Sequence, residues 1–190
     1  MNERMNDPAK WLKYLLYFAI AALVNSVISY IPLVGKLSGW LGIAISAATA
    51  YLLFRLKDTG KRYRTAALFA AISLVAGLFS GTIPVLIVLV CSIVSEYQEY
   101  HGHGELVADR DARLANKWNG LFWLSLVMSL IVGAAAGLLG AILLIVTGVE
   151  SELPNTIGSV LSAVIALAVR GLYVVYLHRT VKLLENEIVM

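Results

Sequence analysis

Apolar residues along this chain gather into long, nearly charge-free runs, separated by short basic or glycine- and proline-containing stretches. The first run covers residues 11–31 and stops at Pro32 and Gly35. The second, 37–56, gives way to Lys57, Asp58, Lys61, Arg62 and Arg64. From 65 to 97 the chain is apolar apart from Glu96, and Gly81-Thr82-Ile83-Pro84 interrupts it. A helix needs about 20 apolar residues to cross a bilayer, so this punctuation divides the stretch into two spans joined by a tight turn. The fifth run, 118–149, carries Gly133, Gly137 and Gly140. As one helix it would reach about 48 Å, so it either tilts and projects or contains a re-entrant break. The sixth, 156–177, follows Glu150, Glu152 and Pro154. The pattern predicts an all-α, polytopic transmembrane helical bundle of six spans, in a single integral membrane domain over 1–190. Five spans are the alternative, and residues 98–117 form a polar cytoplasmic connector.

Composition agrees. Of 190 residues, 59% are hydrophobic and 14% charged, and the mean hydropathy is +0.80, whereas soluble domains are about half apolar and a quarter charged. Disordered, collagenous and disulfide-scaffold classes are excluded, and the single Cys91 has no partner for an intrachain bridge. The charge of +3 is small, and no basic surface interleaved with aromatic residues suggests nucleic-acid binding. Six spans put nearly all Lys and Arg on one side, with Lys36 on the other and Arg170 inside a span. The positive-inside rule then predicts two cytoplasmic termini in a prokaryotic cytoplasmic membrane. Residues 14–33 form a longer run than the core of a signal peptide and have no small-x-small cleavage site, so they read as a retained span.

Internal similarity is faint. Lys10-Trp11 and Lys117-Trp118 open the first and fifth runs, while Ser29-Tyr30-Ile31-Pro32 and Ser80-Gly81-Thr82-Ile83-Pro84 mark two turns. Three pseudo-repeated helical hairpins would account for this, as would the ordinary enrichment of Trp, Tyr and Lys at membrane interfaces.

Arg170 is the most informative residue, the one formal charge within the assigned spans and without a carboxylate there to pair with. A guanidinium at membrane depth either binds an anionic group or helix-end carbonyls, or snorkels to the interface. Asn25 and Ser26 fall near the middle of the first span, and Ser29 shares the Asn25 face at i, i+4. Such groups either line a polar site with Arg170 and the interfacial tyrosines or bond a neighbouring helix. The pairs Gly77/Gly81, Gly133/Gly137 and Ala44/Ala48 let helix backbones approach closely, and internal packing is their expected use. His101, Glu105 and His103 are chemically suitable metal ligands, yet the glycines of His101-Gly102-His103-Gly104 read more naturally as a helix break at the membrane edge. Glu105, Asp109 and Arg113, spaced i, i+4, suggest a solvated helix beyond it.

No carboxylate within the assigned spans offers a proton relay, and no phosphate loop, zinc-protease motif or nucleophile elbow is present. No catalysis and no cofactor are therefore expected. In size and span count the chain resembles the substrate-binding subunits of energy-coupling-factor vitamin transporters. Its first span departs from their small-residue partner face, since Ala19 is followed four residues later by Leu23, and no site residue is carried over. The reading favoured by sequence is a non-catalytic accessory or assembly subunit, acting through helix packing and cytoplasmic contacts with a membrane protein or a second copy of itself. The alternatives are a transporter or binding subunit for a small anionic or amphipathic solute, and a lipid-modifying enzyme using the histidines and acids near the interface.

Overall fold

The computed structural model describes residues 7–29, 35–147 and 152–188. Arg4, the turn at Tyr30-Ile31-Pro32 and Glu150 lie outside them. Six helices follow in order: α1 (Pro8–Ile28), α2 (Gly35–Arg55), α3 (Lys61–Ala76), α4 (Thr82–Val107), α5 (Ala112–Thr147) and α6 (Leu153–Ile188). No strand occurs among the described residues. Asp7 caps α1, accepting from the Ala9 N–H at 2.9 Å, with Pro8 in the first helical position where its missing N–H costs nothing. Asp111 caps α5, accepting from the Leu114 N–H at 2.9 Å. Each helix packs on the next, α6 returns to α1, and α4 also touches α6 across the ring.

Burial is lopsided. Leu12, Leu15, Leu53, Leu56, Tyr63, Val107, Trp118 and Leu177 are all at most 1% exposed. They cluster where α1 begins, α2 meets α3, α4 meets α5, and α6 ends. A Lys13–Glu185 ion pair of 3.0 Å ties the two terminal helices together there. Toward the other end the helices present large apolar side chains outward, such as Trp40 at 74% and Ile145 at 82% exposed. In water such a surface would be strongly unfavourable, while in hydrocarbon it is the lipid-facing surface. Five helices, all but α3, are long and apolar enough to cross a membrane. The sixteen residues of α3 span about 24 Å.

The third and fourth runs are two helices, not one. Gly81 supplies the break, with φ 124°, a region that side chains with a Cβ rarely enter. α5 runs unbroken through Gly133, Gly137 and Gly140 for 36 residues, and α6 is equally long, so this hairpin extends about 54 Å.

Three expectations are corrected. The His-Gly-His-Gly stretch is no helix break, because α4 continues to Val107. Glu105, Asp109 and Arg113 do not share a helix, since the chain turns at 108–110 before Asp111. Of the small-residue pairs, Gly133 and Gly137 have nothing within 4 Å of where a Cβ would stand, so no part of the described chain packs on them. The α5–α6 contact uses Gly158, where a Cβ would lie 2.7 Å from that of Ala136.

Candidate functional site

The continuation of α4 changes the charge map of the interior. Glu96 and Glu99 lie within a helix long and apolar enough to span, so Arg170 is not the lone charge on the apolar stretches of such helices. The expectation that no carboxylate stands in a span is overturned. With α4 unbroken, Glu96, Glu99, Tyr100 and His103 fall at i, i+3, i+4 and i+7, one face of the helix.

Glu96 and Arg170 line a common cleft of about 560 Å³. Its walls combine small and hydroxylated residues with aliphatic ones: Gly39, Gly42 and Ser46 on α2, Ser73 on α3, Gly77 just past its end, and Ser92 and Ser95 on α4 stand beside Ile43, Ile45, Leu74 and Leu78. Ser73 and Ser92 bond each other at 2.9 Å, and Ser95 Oγ donates to the Ala66 carbonyl at 2.9 Å, which holds α3 against α4. A smaller chamber of about 150 Å³ lies deeper, lined by Leu15, Ala19, Ala22, Thr49, Glu96, Glu99, Tyr100, Arg170 and Tyr173. Ala22, Glu96 and Arg170 belong to both cavities, so the opposite charges stand at their junction.

Arg170 does not merely reach for the membrane edge. Its guanidinium donates to Ser26 Oγ on α1, and Ser26 Oγ in turn donates to the Ala22 carbonyl at 2.8 Å. The structure thus brings Arg170 to the first span, but to Ser26 rather than to Asn25 or Ser29. Asn25 Nδ2 donates to the Ser38 carbonyl of α2 at 3.1 Å, while its Oδ1 is buried without a partner among the described residues. Ser29 Oγ is occupied by the Ser26 carbonyl at 2.8 Å. Glu96 forms no hydrogen bond or ion pair within 4.0 Å among the described residues.

Below the chamber lies a buried polar cluster. Tyr173 donates its hydroxyl to Glu99 Oε1, and Glu99 Oε1 is 3.6 Å from His103 Nε2. Tyr63 and His103 Nδ1 are hydrogen-bonded at 2.9 Å, and Tyr173 also stands 3.4 Å from Nε2. The Trp118 ring lies 4.6 Å from the imidazole, centroid to centroid. Close approach is what the two glycines provide. A Cβ on Gly102 would sit 3.4 Å from Arg62 and the Tyr63 ring, and one on Gly104 3.1 Å from Asn119 Oδ1.

The three metal-ligand candidates go separate ways. His101 Nδ1 meets the Tyr97 carbonyl at 2.9 Å, which requires the hydrogen on that nitrogen. His103 is held by the two tyrosines, and Glu105 pairs with Arg62 at 2.6 Å. No group of three metal-ligating side chains exists among the described residues.

Sequence reasoning found Arg170 but missed Glu96, Glu99, Tyr63 and Tyr173. The signal was available in the one-face spacing of 96, 99, 100 and 103, and reading the glycines as a helix break concealed it. Compared with known proteins, the chain matches no family model, and neither a curated protein nor a solved structure resembles it significantly.

Chemically, the junction offers a planar guanidinium suited to a carboxylate or phosphate, a carboxylate suited to an ammonium, and hydroxyls between them. That set matches a small solute carrying both charges.

Proposed function

We propose that this chain is a membrane-embedded transporter or binding subunit for a small zwitterionic solute. The observation that carries the reading is the placement of Glu96 and Arg170, from different helices, on one cleft whose other walls combine serines and glycines with Ile43, Ile45, Leu74 and Leu78. Charges at membrane depth are expensive and are retained where they serve a pathway or a ligand. Glu96 has no side-chain partner among the described residues, so its carboxyl group is available to a solute. The cleft occupies the half of the bundle away from the closely packed end, and the closed end is the basic one. Charge asymmetry supports a prokaryotic cytoplasmic membrane with both termini inside, so the cleft faces outward.

The test is thermal unfolding of the protein in lipid nanodiscs against a panel of amino acids, simple carboxylates and simple amines. A zwitterion stabilises the parent by mass action, and Arg170→Gln and Glu96→Gln each abolish that shift. The reading fails if no panel member shifts the parent, or if the shift survives both substitutions.

A second reading, an assembly subunit, is favoured by the uncovered Gly133 and Gly137 on α5, a spacing suited to close helix contact. It predicts a stoichiometric protein partner whose binding is lost in Gly137→Leu.

A further inference from the structure

Below the cleft, the cluster of Glu99, His103, Tyr63 and Tyr173 has a feature that a structural role does not need. A buried polar group is costly even when paired, and apolar side chains of similar volume usually hold helices together as well. Here an imidazole that is 0% exposed has a carboxylate on one side and hydroxyls on both. It joins α3, α4 and α6.

Access to the cluster is one-sided. Glu99 and Tyr173 line the chamber that shares Glu96 and Arg170 with the cleft. On the opposite side Leu12, Leu56, Val107 and Leu177, each 0% exposed, close the bundle. A site that meets the cleft and is sealed from the other face is half of an alternating-access arrangement.

We propose that the Glu99–His103 pair is a proton-binding site whose loading is coupled to the solute in the cleft. This rests on the solute-binding reading above. Loading adds one proton to the pair from water in the chamber, and unloading returns it to water. The proton belongs to the pair rather than to either residue. Tyr63 accommodates both states, since its hydroxyl donates to a bare Nδ1 and accepts from a protonated one. The groups facing the pair come from every packed neighbour. α4 itself adds Glu96, Tyr100 and Glu105, α3 gives Tyr63 with Arg62 beside it and paired to Glu105, and α6 gives Tyr173 and Arg170. From α5 comes the Trp118 ring and, among the described residues, no charge within ion-pair distance.

Two measurements separate the possible failures. In nanodiscs, the ring-nitrogen shifts of ¹⁵N-labelled His103, assigned by its loss in His103→Gln, should differ between samples held at about pH 5 and about pH 8, and the difference should change in Glu99→Gln. Shifts constant over that range overturn the proposal whatever the cleft binds. In proteoliposomes, labelled β-alanine and 4-aminobutyrate serve as probes. An inwardly directed pH gradient should drive accumulation by the parent. His103→Gln and Tyr63→Phe should keep exchange of labelled for unlabelled probe and lose at least tenfold of the gradient-driven accumulation. If the parent exchanges a probe but no gradient drives it, or if both variants accumulate like the parent, the proton coupling is wrong and the solute site stands. If the parent exchanges neither probe, the solute reading falls, and the coupling with it.

Discussion

Trp118 and Thr180, 62 positions apart on α5 and α6, meet inside the closed end, where the indole Nε1 donates to Thr180 Oγ1 at 3.1 Å. Both residues are 0% exposed. Thr180 passes the connection on, donating to the Tyr176 carbonyl at 3.0 Å. Around the indole stand Tyr100, Tyr173 and Tyr176 with ring centroids 5.3–5.9 Å away, so the hydrogen bond fixes the plate on which the aromatic cluster is assembled.

Thr180→Val keeps the shape and removes the acceptor, leaving a buried indole N–H without a partner. The expected cost is about 1–3 kcal/mol, read as a lower unfolding midpoint in detergent. Thr180→Ser should recover most of it. An unchanged midpoint for the valine variant would mean that the indole bond contributes nothing to the closed end.

Two glycines on facing helices of one hairpin should respond oppositely. Gly158→Ala places a methyl 2.7 Å from the Ala136 Cβ, two backbone-anchored atoms that cannot both stay in place. Overpacking of this kind costs about 1–3 kcal/mol. Gly133→Ala meets nothing within 4 Å and should gain a few tenths from better helix propensity, at most about 1 kcal/mol. Paired thermal unfolding of the two variants checks both signs.

At the α3–α4 turn, Gly81→Ala should destabilise by about 1–3 kcal/mol, because φ 124° with ψ 166° lies in a region essentially reserved for glycine. The neighbouring Ser80→Ala, at an exposed position, should be close to neutral, and comparing their unfolding midpoints isolates the backbone effect from the turn's composition.

The lopsided bundle has a direct chemical readout. In a Cys91→Ala background, Ser92→Cys lines the cleft, while Leu177→Cys lies in the sealed end. A membrane-impermeant maleimide should label the first at least tenfold faster than the second. Equal rates would contradict an open cleft above a closed end.

How far the sequence revealed this arrangement depended on where local signals and tertiary contacts agree. Hydropathy fixes the helices because lipid is an unforgiving solvent for charge and unpaired backbone. The break at Gly81 was equally visible, as was Arg170, alone in its apolar run. What failed was the end of α4. Glycine lowers helix propensity by about 1 kcal/mol relative to alanine, so Gly102 and Gly104 argue locally against a helix. Their packing against Tyr63, Arg62 and Asn119 outweighs that, and such contacts between distant segments leave no local trace. Once the helix was taken to end, Glu96 and Glu99 became surface charges on paper, and the counterpart of Arg170 disappeared with them. Which of the polar neighbours Asn25, Ser26 and Ser29 on α1 meets Arg170 is likewise not legible locally, because it is decided by how α1 and α6 are rotated against each other.

The central claim is that Glu96 and Arg170 hold a small charged solute between them. Its most direct test is native mass spectrometry of the protein released gently from its own membrane. The account predicts a discrete small-molecule adduct on the parent that is absent from Arg170→Gln and Glu96→Gln. An adduct-free parent, or an adduct retained by both variants, would contradict it.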